Sequence, residues 1–537
     1  MKSRQVDVLV IGSGLAGIRA AIEARRYGME VLVVSRSATG KANNSAISKG
    51  YFAVPDGLCD PCDSPARHLE DILTGGGGIG DPELVTVMVE NMKEEVALLA
   101  ECGVSLSRKK DGNFLCSRVP GHSFPRVMGT NRNSGVQLLS PLVTRAMEMG
   151  VRAESGITLI SLVKEGGFVT GAWGYTGNGD AVVISSRAVI LATGGAGGLY
   201  LRTNNVPGTD GLGHAIALDA GLPLVDMEFV QFYPTYLHMP GLPRVMISYE
   251  TLVAAAGATL RNRDGHDIRE IHGLLDGASL TRDMLSRVIE SEIASGRGVG
   301  PEGRAVVMDF STMKNPEKYR KYLPKAVSPG VMQVEVSPVA HFTMGGVAVE
   351  AGGKTGIPGL WAIGEAAGGI HGANRIGGNA LAECLALGRV AGAAASRYSS
   401  GVKLRDISPA GAVPVSDTGK EACVSQLAVK IRGTMTGHAG ILRDAAGLEE
   451  ALNEINILRV KAEEENRREK TLAGLKICMM LDVAEAVCLS ALMRKESRGS
   501  HFRSDYPEEN EKYLGNIFVN RKNGKMDAQF VPRRRKE

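Results

Sequence analysis

The chain has 537 residues, more than one compact core ordinarily serves, so two or three domains are expected. Apolar residues make up 44% and the formal charge is +4 with acids and bases nearly balanced, so a sizeable core is available and nothing calls for a nucleic-acid partner. No run of ~20 unbroken apolar residues exists, which argues against a transmembrane helix.

The N-terminus enters a strand almost at once and leaves no room for a signal peptide, so a cytoplasmic protein is expected, peripheral to the inner face of a membrane only through a partner. VDVLVIGSG reads as a buried parallel strand: a continuous apolar run ending in glycines. A helix follows over residues 15–27 and a second strand over 30–34, a βαβ unit. Gly12-Ser13-Gly14-Leu15-Ala16-Gly17 matches GxGxxG in the context that motif needs, after a strand and opening a helix. Gly12, Gly14 and Gly17 let backbone approach a pyrophosphate, and the helix N-terminus at Leu15 and Ala16 offers N–H donors and a favourable dipole. Where an acid would hold the ribose, this chain has Ser35-Arg36. Arg36 suits the 2′-phosphate of NADP; Ser35 suits FAD in a family that uses a hydroxyl there.

Cys59-Asp-Pro-Cys62 is the only CxxC among eight cysteines, and no second pair stands at metal-ligand spacing. It reads as a turn around Asp60-Pro61, with a redox pair as the alternative, and the scattered cysteines fit a reducing compartment. Helices are expected over 82–102 and 134–149, short β-like runs over 151–184, and a buried strand at 188–192 ending in Thr193-Gly194-Gly195. The stretch from about 236 to 339 is more charged and irregular, with one clear helix at 279–295. Strand-then-glycine style returns at 361–364, followed by a helix over 379–398. A Ser/Pro/Val-rich linker over 401–417 precedes three helical segments ending near 493. The remainder reads as an irregular tail, with Arg533-Arg534-Arg535-Lys536 as a solvated basic cluster.

This order gives a discontinuous nucleotide domain (1–235 and 340–400), an inserted capping domain (236–339), a C-terminal helical domain (418–500) and a tail (501–537). Clefts between such domains are preferred ligand sites. ILATGG and WAIGEAA each put a strand end and small residues where a flavin would lie, which favours FAD over NADP. They make Ala192, Thr193 and Gly194 cofactor candidates, and Glu365 a ribityl acceptor.

IGSGLAGIRAA, HLEDILTGGGGIGDPELV, ATGGAGGLY, TDGLGHAIALDAG, DMEFVQFYPT, TRDMLSRVI, HFTMGGV, GLWAIGEAAGGIHGANRIGGNAL and ESRGSHFRSDYP run nearly end to end. In these stretches the chain resembles the flavoprotein subunits of succinate dehydrogenase and fumarate reductase, and L-aspartate oxidase. The resemblance implies an α/β fold: a Rossmann-like FAD-binding domain, an inserted capping domain and a C-terminal helical domain. It also implies FAD contacts at Asn44, Ser45, Gly50, Asp210, Asn379, Ala380 and Leu381. Respiratory relatives attach FAD through a histidine; the matched position here is Asn44, so FAD is expected to be non-covalent.

The family moves hydride between flavin N5 and a carbon beside a carboxylate. By resemblance, Arg375 in HGANRIGG and His341 in AHFTMGG anchor one carboxylate, and Arg282 in TRDMLSR donates the proton. A guanidinium suits the first task by bidentate bonding and is a poor acid for the second unless its surroundings help. The departures lie at Tyr233, where the family has a histidine, at Glu250-Thr251, where its Thr-Glu pair is reversed or shifted, and at Ala254, where it has an arginine. These predict a less polar, less basic far end of the pocket, and a substrate with one free carboxylate and something else opposite. The competing readings are an electron-transfer subunit served by a separate iron–sulfur protein, an L-aspartate oxidase and, more remotely, an adenylylsulfate-reductase-like enzyme.

Overall fold

A computed structural model describes residues 2–239, 245–275, 280–319, 322–323, 327, 332–407, 415 and 421–533. The opening apolar run forms the strand Lys2–Ile11, whose residues Val8, Leu9 and Val10 are fully buried. Burial on both faces fits its place inside a seven-stranded sheet. It pairs in parallel with Val31–Ser35 on one side (Val8↔Val31, Ile11↔Val34) and with Ala181–Leu191 on the other (Val8↔Ala188, Ile11↔Leu191). The far edge of Ala181–Leu191 is divided. Phe168–Thr176 pairs antiparallel with its first half, and Leu360–Ala362 returns from far along the chain to pair in parallel with its second half (Trp361↔Ile190). That return brings Ile363-Gly364-Glu365 beside the end of Ala181–Leu191, where Ile363 N donates to Leu191 O.

Helices Leu15–Arg26 and Asn379–Ser400 pack against each other on this sheet. A Cβ at Gly392 would lie 2.6 Å from Ala20 O, so glycine there permits the close crossing. The expected single helix over 82–102 is two, Pro82–Glu90 and Met92–Glu101, hinged at Asn91, whose side chain bonds back to Val87 O.

Residues 233–339 carry a hydrophobic core of their own, including Tyr233, Leu252, Leu285, Met308 and Val339. It packs on a four-stranded antiparallel sheet ordered Val230–Leu237, Gln333–Thr343, Val306–Asp309, Thr259–Arg261, against which the helix Arg282–Ala294 lies. The neighbouring strands Val230–Leu237 and Gln333–Thr343 also run into the cavity wall, so this unit and the nucleotide unit share them. Helices Glu421–His438, Ala445–Arg468 and Leu472–Met493 form the C-terminal unit. Most of the linker predicted over 401–417 lies outside the described residues.

Two expectations are corrected here. The tail is not irregular: Gly515–Lys522 and Lys525–Pro532 form a hairpin that pairs with Leu224–Val225, burying Ile517 and Val519. Their alternation of buried and exposed residues is the signal for it. The CxxC forms the expected turn and not the alternative redox pair, but the reading of the scattered cysteines as a reduced set is corrected. Cys59 is disulfide-bonded to Cys116 and Cys62 is free and exposed. Asp60 closes the turn, accepting from Asp63 N at 3.0 Å and, through its side chain, from Cys62 N at 2.9 Å. Arg533 donates to Gly78 O, while Arg534, Arg535 and Lys536 lie outside the described residues. Among the described residues no helix is long and apolar enough to cross a membrane, and no His/Cys/Asp/Glu cluster would hold a metal.

Candidate active site

A cavity of about 940 Å³ runs from the glycine-rich turn to the face of the capping unit. At the first end, Gly12 has φ +116°, and a Cβ there would meet Ala192 O at 2.1 Å, so only glycine lets the two strand ends meet. Gly14 caps the helix Leu15–Arg26 without a side-chain bond, leaving N–H groups toward the cavity; Leu15 N alone is taken, by Ser45 Oγ at 3.1 Å. Gly17 does not line the cavity: a Cβ there would strike Gly12 O at 2.1 Å, so it serves helix–strand packing. Ser35 Oγ donates to Ser37 O at 2.7 Å. Arg36 donates to Gly208 O and feels the charge of Asp210, while burial lowers its pKa. A guanidinium spent on a carbonyl beside a carboxylate is a poor receptor for a 2′-phosphate, which favours FAD over NADP. Asp210 Oδ1 has no hydrogen-bond partner and sits 3.6 Å from Arg432.

Further along, Glu365 Oε1 accepts from Thr343 N at 3.0 Å, and burial pushes this carboxyl up to about 7 despite that bond. A Cβ at Gly195 would lie 2.2 Å from Glu365 Oε1, whereas Gly194, at φ +78°, has nothing within 4 Å and opens onto the cavity. Thr193 Oγ1 is buried without a partner. The helix Asn379–Ser400 also starts uncapped, with Ala380 and Leu381 on the cavity wall. Two uncapped helix starts, an open glycine cradle and orphaned polar atoms suit a long, polar, anionic cofactor such as FAD. Asn44 shares an amide–amide bond with Asn205 and accepts from Val206 N at 3.0 Å, so it ties loops together beside the cavity. Asn379 and Gly50 are not cavity residues. Asn379 Oδ1 pairs with His68 Nε2 at 3.0 Å behind the wall. Gly50, at φ +68°, packs where a Cβ would lie 2.7 Å from Ser134 O.

The far end gathers the residues singled out for chemistry. Arg375 Nη2 and Arg282 Nη1 both donate to Gln231 Oε1, at 2.9 and 3.0 Å. Gln231 is itself held through Nε2 by Asn374 Oδ1 and Arg375 O, each at 2.8 Å. Arg375 is buried, its Nε lacks a partner, and burial together with Arg282 lowers its pKa to about 9. The Arg282 guanidinium lies 3.6 Å from Glu250 Oε1, and although burial pulls its pKa down, Glu250 together with Tyr249 and Tyr233 raises it on balance. His341 lies with its Nδ1 3.0–3.1 Å from the Asn204 amide, and burial keeps its pKa well below the usual imidazole range, so it is neutral near pH 7. Thr251 lines the wall, bonded to Ser248 Oγ at 3.0 Å.

Tyr233 lines the cavity and belongs to the capping core, its ring 5.6 Å from the His341 ring. Its phenol lies 3.2 Å from both Ile247 O and Glu250 Oε2, so its one proton is spent inside the protein. Ala254 is exposed and off the wall. Sequence reasoning missed Gln231 and Lys49. Gln231 sits inside the DMEFVQFYPT stretch, two residues from Tyr233; Lys49 sits in the Ser-Lys-Gly that follows Asn44.

Comparison with known proteins agrees with this geometry. A FAD binding domain family matches residues 7–381, and a family described as fumarate reductase flavoprotein C-term matches residues 429–534. The chain is 34% identical to one subunit of the CoM/CoB fumarate reductase of Methanothermobacter marburgensis, covering 98% of this chain and 99% of that one. It is 33% identical to L-aspartate oxidase of Agrobacterium fabrum over 94% of this chain and 92% of that one. A quinol–fumarate reductase solved with menaquinol superposes with a TM-score of 0.88 at 25% identity, covering 100% and 99% of the two chains. With the FAD cradle and the fold shared end to end, the chain belongs to the fumarate reductase and succinate dehydrogenase flavoprotein family of FAD-dependent oxidoreductases.

Proposed function

We propose that this site transfers hydride and a proton across the α,β-carbons of a small carboxylic acid, with fumarate or succinate the first candidates. The observation that carries the reading is the shared acceptor. Gln231 Oε1 holds Arg375 and Arg282 at one point of the cavity, next to His341. Glu250 lies 3.6 Å from Arg282, whereas among the described residues no ion pair engages Arg375, and a substrate carboxylate supplies that missing counter-charge.

In this reading Gly12, Gly14, Leu15, Ala16, Ser35, Ser45, Gly194, Glu365, Ala380 and Leu381 hold FAD non-covalently, with Asn44 in place of an attaching histidine. Bound FAD supplies the two-electron carrier. Arg375 and His341 orient the carboxylate. Arg282 holds the proton for the neighbouring carbon. Glu250, 3.6 Å away, restores that proton and keeps Arg282 positioned while the site is closed to water. The capping core behind Tyr233 supplies that closure.

The electrons come from a separate iron–sulfur protein in this reading. No cluster ligands stand together among the described residues, and the Methanothermobacter relative is named as one subunit of an enzyme. Such a partner would also be the means of any attachment at the cytoplasmic face of a membrane.

Anaerobic reduction of the purified holoprotein, followed by mixing with fumarate, tests the reading. Return of the oxidised-flavin band with formation of succinate is expected. Reduction of the flavin by L-aspartate, with no reoxidation by fumarate or by a panel of enoic acids, would overturn it in favour of the aspartate oxidase chemistry named for the Agrobacterium relative.

A further inference from the structure

Lys49 is a charged side chain at the far end of the cavity that the reading above leaves without work. It is half-buried on the cavity wall, and among the described residues no hydrogen bond or ion pair engages its ammonium. Its backbone is fixed from both sides. Ser48 O accepts from Gly135 N at 2.8 Å, and Ser48 Oγ is bonded to Ser45 O at 2.8 Å and to Gly50 N at 3.2 Å. Gly50 follows at φ +68°, packed against Ser134 O where no Cβ would fit. The glycine expected at the cofactor therefore serves instead to turn the chain at Lys49.

The charges around it are unequal. Lys49, Arg282 and Arg375 face the same end of the cavity, and Glu250 is the carboxylate among them, already 3.6 Å from Arg282. Burial lowers the Lys49 pKa, partly opposed by Glu250 and reinforced by Arg282, and the Lys49 charge in turn reaches His341. A cation so placed gains most from an anion brought by a ligand. Tyr233 cannot serve as that anchor, because its phenol proton is spent on Ile247 O and Glu250.

We propose that Lys49 is a specificity-determining residue that receives the second anionic group of the substrate, opposite the carboxylate held by Arg375 and His341. This rests on the proposed reaction and deepens it. The far end is basic after all, the cation coming from the nucleotide unit rather than from the capping strand that carries Tyr233, and a dicarboxylate fits both ends.

The test pairs ligands with variants in the FAD-loaded protein. Succinate binding is followed by calorimetry, without turnover, and KM and kcat are measured for fumarate and for its monomethyl ester. Wild type is expected to prefer fumarate. Lys49→Met should raise the succinate Kd and the fumarate KM roughly ten- to a hundredfold, the worth of one charge-assisted hydrogen bond, and leave the monoester KM nearly unchanged. Lys49→Arg should recover much of the loss. Equal losses on both substrates, or none, would overturn the role of Lys49 while leaving the reaction standing. The wild-type comparison of acid and ester needs no variant, so equal KM values there contradict the inference even if Lys49→Met fails to fold. Wild type that neither binds succinate nor turns over either substrate would overturn the inference together with the reaction it rests on.

Discussion

Arg282 and Arg375 donate to the same oxygen, Oε1 of Gln231, at 3.0 and 2.9 Å. One guanidinium comes from the start of the capping helix Arg282–Ala294 and the other from the loop after Glu365, so the amide couples the two units at the point where the chemistry is proposed. Replacing it tests that coupling. Gln231→Leu leaves both donors short of an acceptor, at a cost of about 1–3 kcal/mol, seen as a lower Tm of the apoprotein. The same variant is expected to raise KM for fumarate, because Arg375 loses its fixed orientation. A variant with unchanged Tm and KM would mean that the amide is a bystander.

Arg282→Gln removes the proposed proton donor and keeps a polar side chain beside Gln231. Turnover should fall by about 10²–10⁴, the range for a positioned acid, with FAD content unchanged. Rapid-quench measurement of product in a single turnover separates this from slower binding. Turnover within a factor of a few of wild type would reassign the proton to another group.

By the resemblance, Asn44 matches the position where many respiratory relatives carry an attaching histidine; its amide is bonded to Asn205 and Val206. The flavin should therefore leave the chain on denaturation in guanidinium and pass an ultrafiltration membrane. Yellow colour retained with the polypeptide would contradict non-covalent binding.

His122 is buried, with Nε2 donating to Gly377 O at 2.7 Å and Nδ1 accepting from Arg126 Nη1 at 3.0 Å. The bond accepted at Nδ1 needs the neutral ring, and burial lowers its pKa to about 4 from the usual 6.5. The unfolded chain binds this proton first. The stability contributed is complete above pH 6.5 and is lost as pH falls from there to about 4. His122→Gln keeps a donor to Gly377 O and does not titrate. The difference in unfolding free energy between the two proteins should shift in favour of the variant across that window. A difference independent of pH would contradict the assignment.

The parts of the structure that were legible in the sequence are those where local chemistry decides. Gly12 at φ +116° against Ala192 O is a backbone requirement that a glycine announces, and the apolar run ending at Ile11 announces a strand buried on both faces. Arg282, His341 and Arg375 were found through their motifs, and the fold brings all three to one end of the cavity. What was not legible depended on distant partners. Gln231 looks like one polar residue in a strand until Arg375 arrives from a distant loop and Arg282 from the capping helix. Gly17, Gly50 and Asn379 carry the motif pattern yet pack behind the wall, because a glycine or an amide serves close packing as well as ligand contact. The tail hairpin pairs with Leu224–Val225, almost three hundred residues earlier, and the partner of Cys59 is Cys116 rather than the neighbouring Cys62. No local spacing encodes either contact. The three alanines at 254–256 pointed to a far end poor in cations, whereas Ala254 faces outward and Lys49 supplies a cation from another unit.

The most direct test of the account compares wild type with Arg375→Gln, each reduced anaerobically with FAD bound. Each is then mixed in separate shots with fumarate and with dioxygen. The account predicts that wild type is reoxidised by fumarate, and that the variant loses this reaction while dioxygen still reoxidises its flavin. Reoxidation of both proteins by fumarate at equal rates would show that the carboxylate is not held by Arg375 and would contradict the site described.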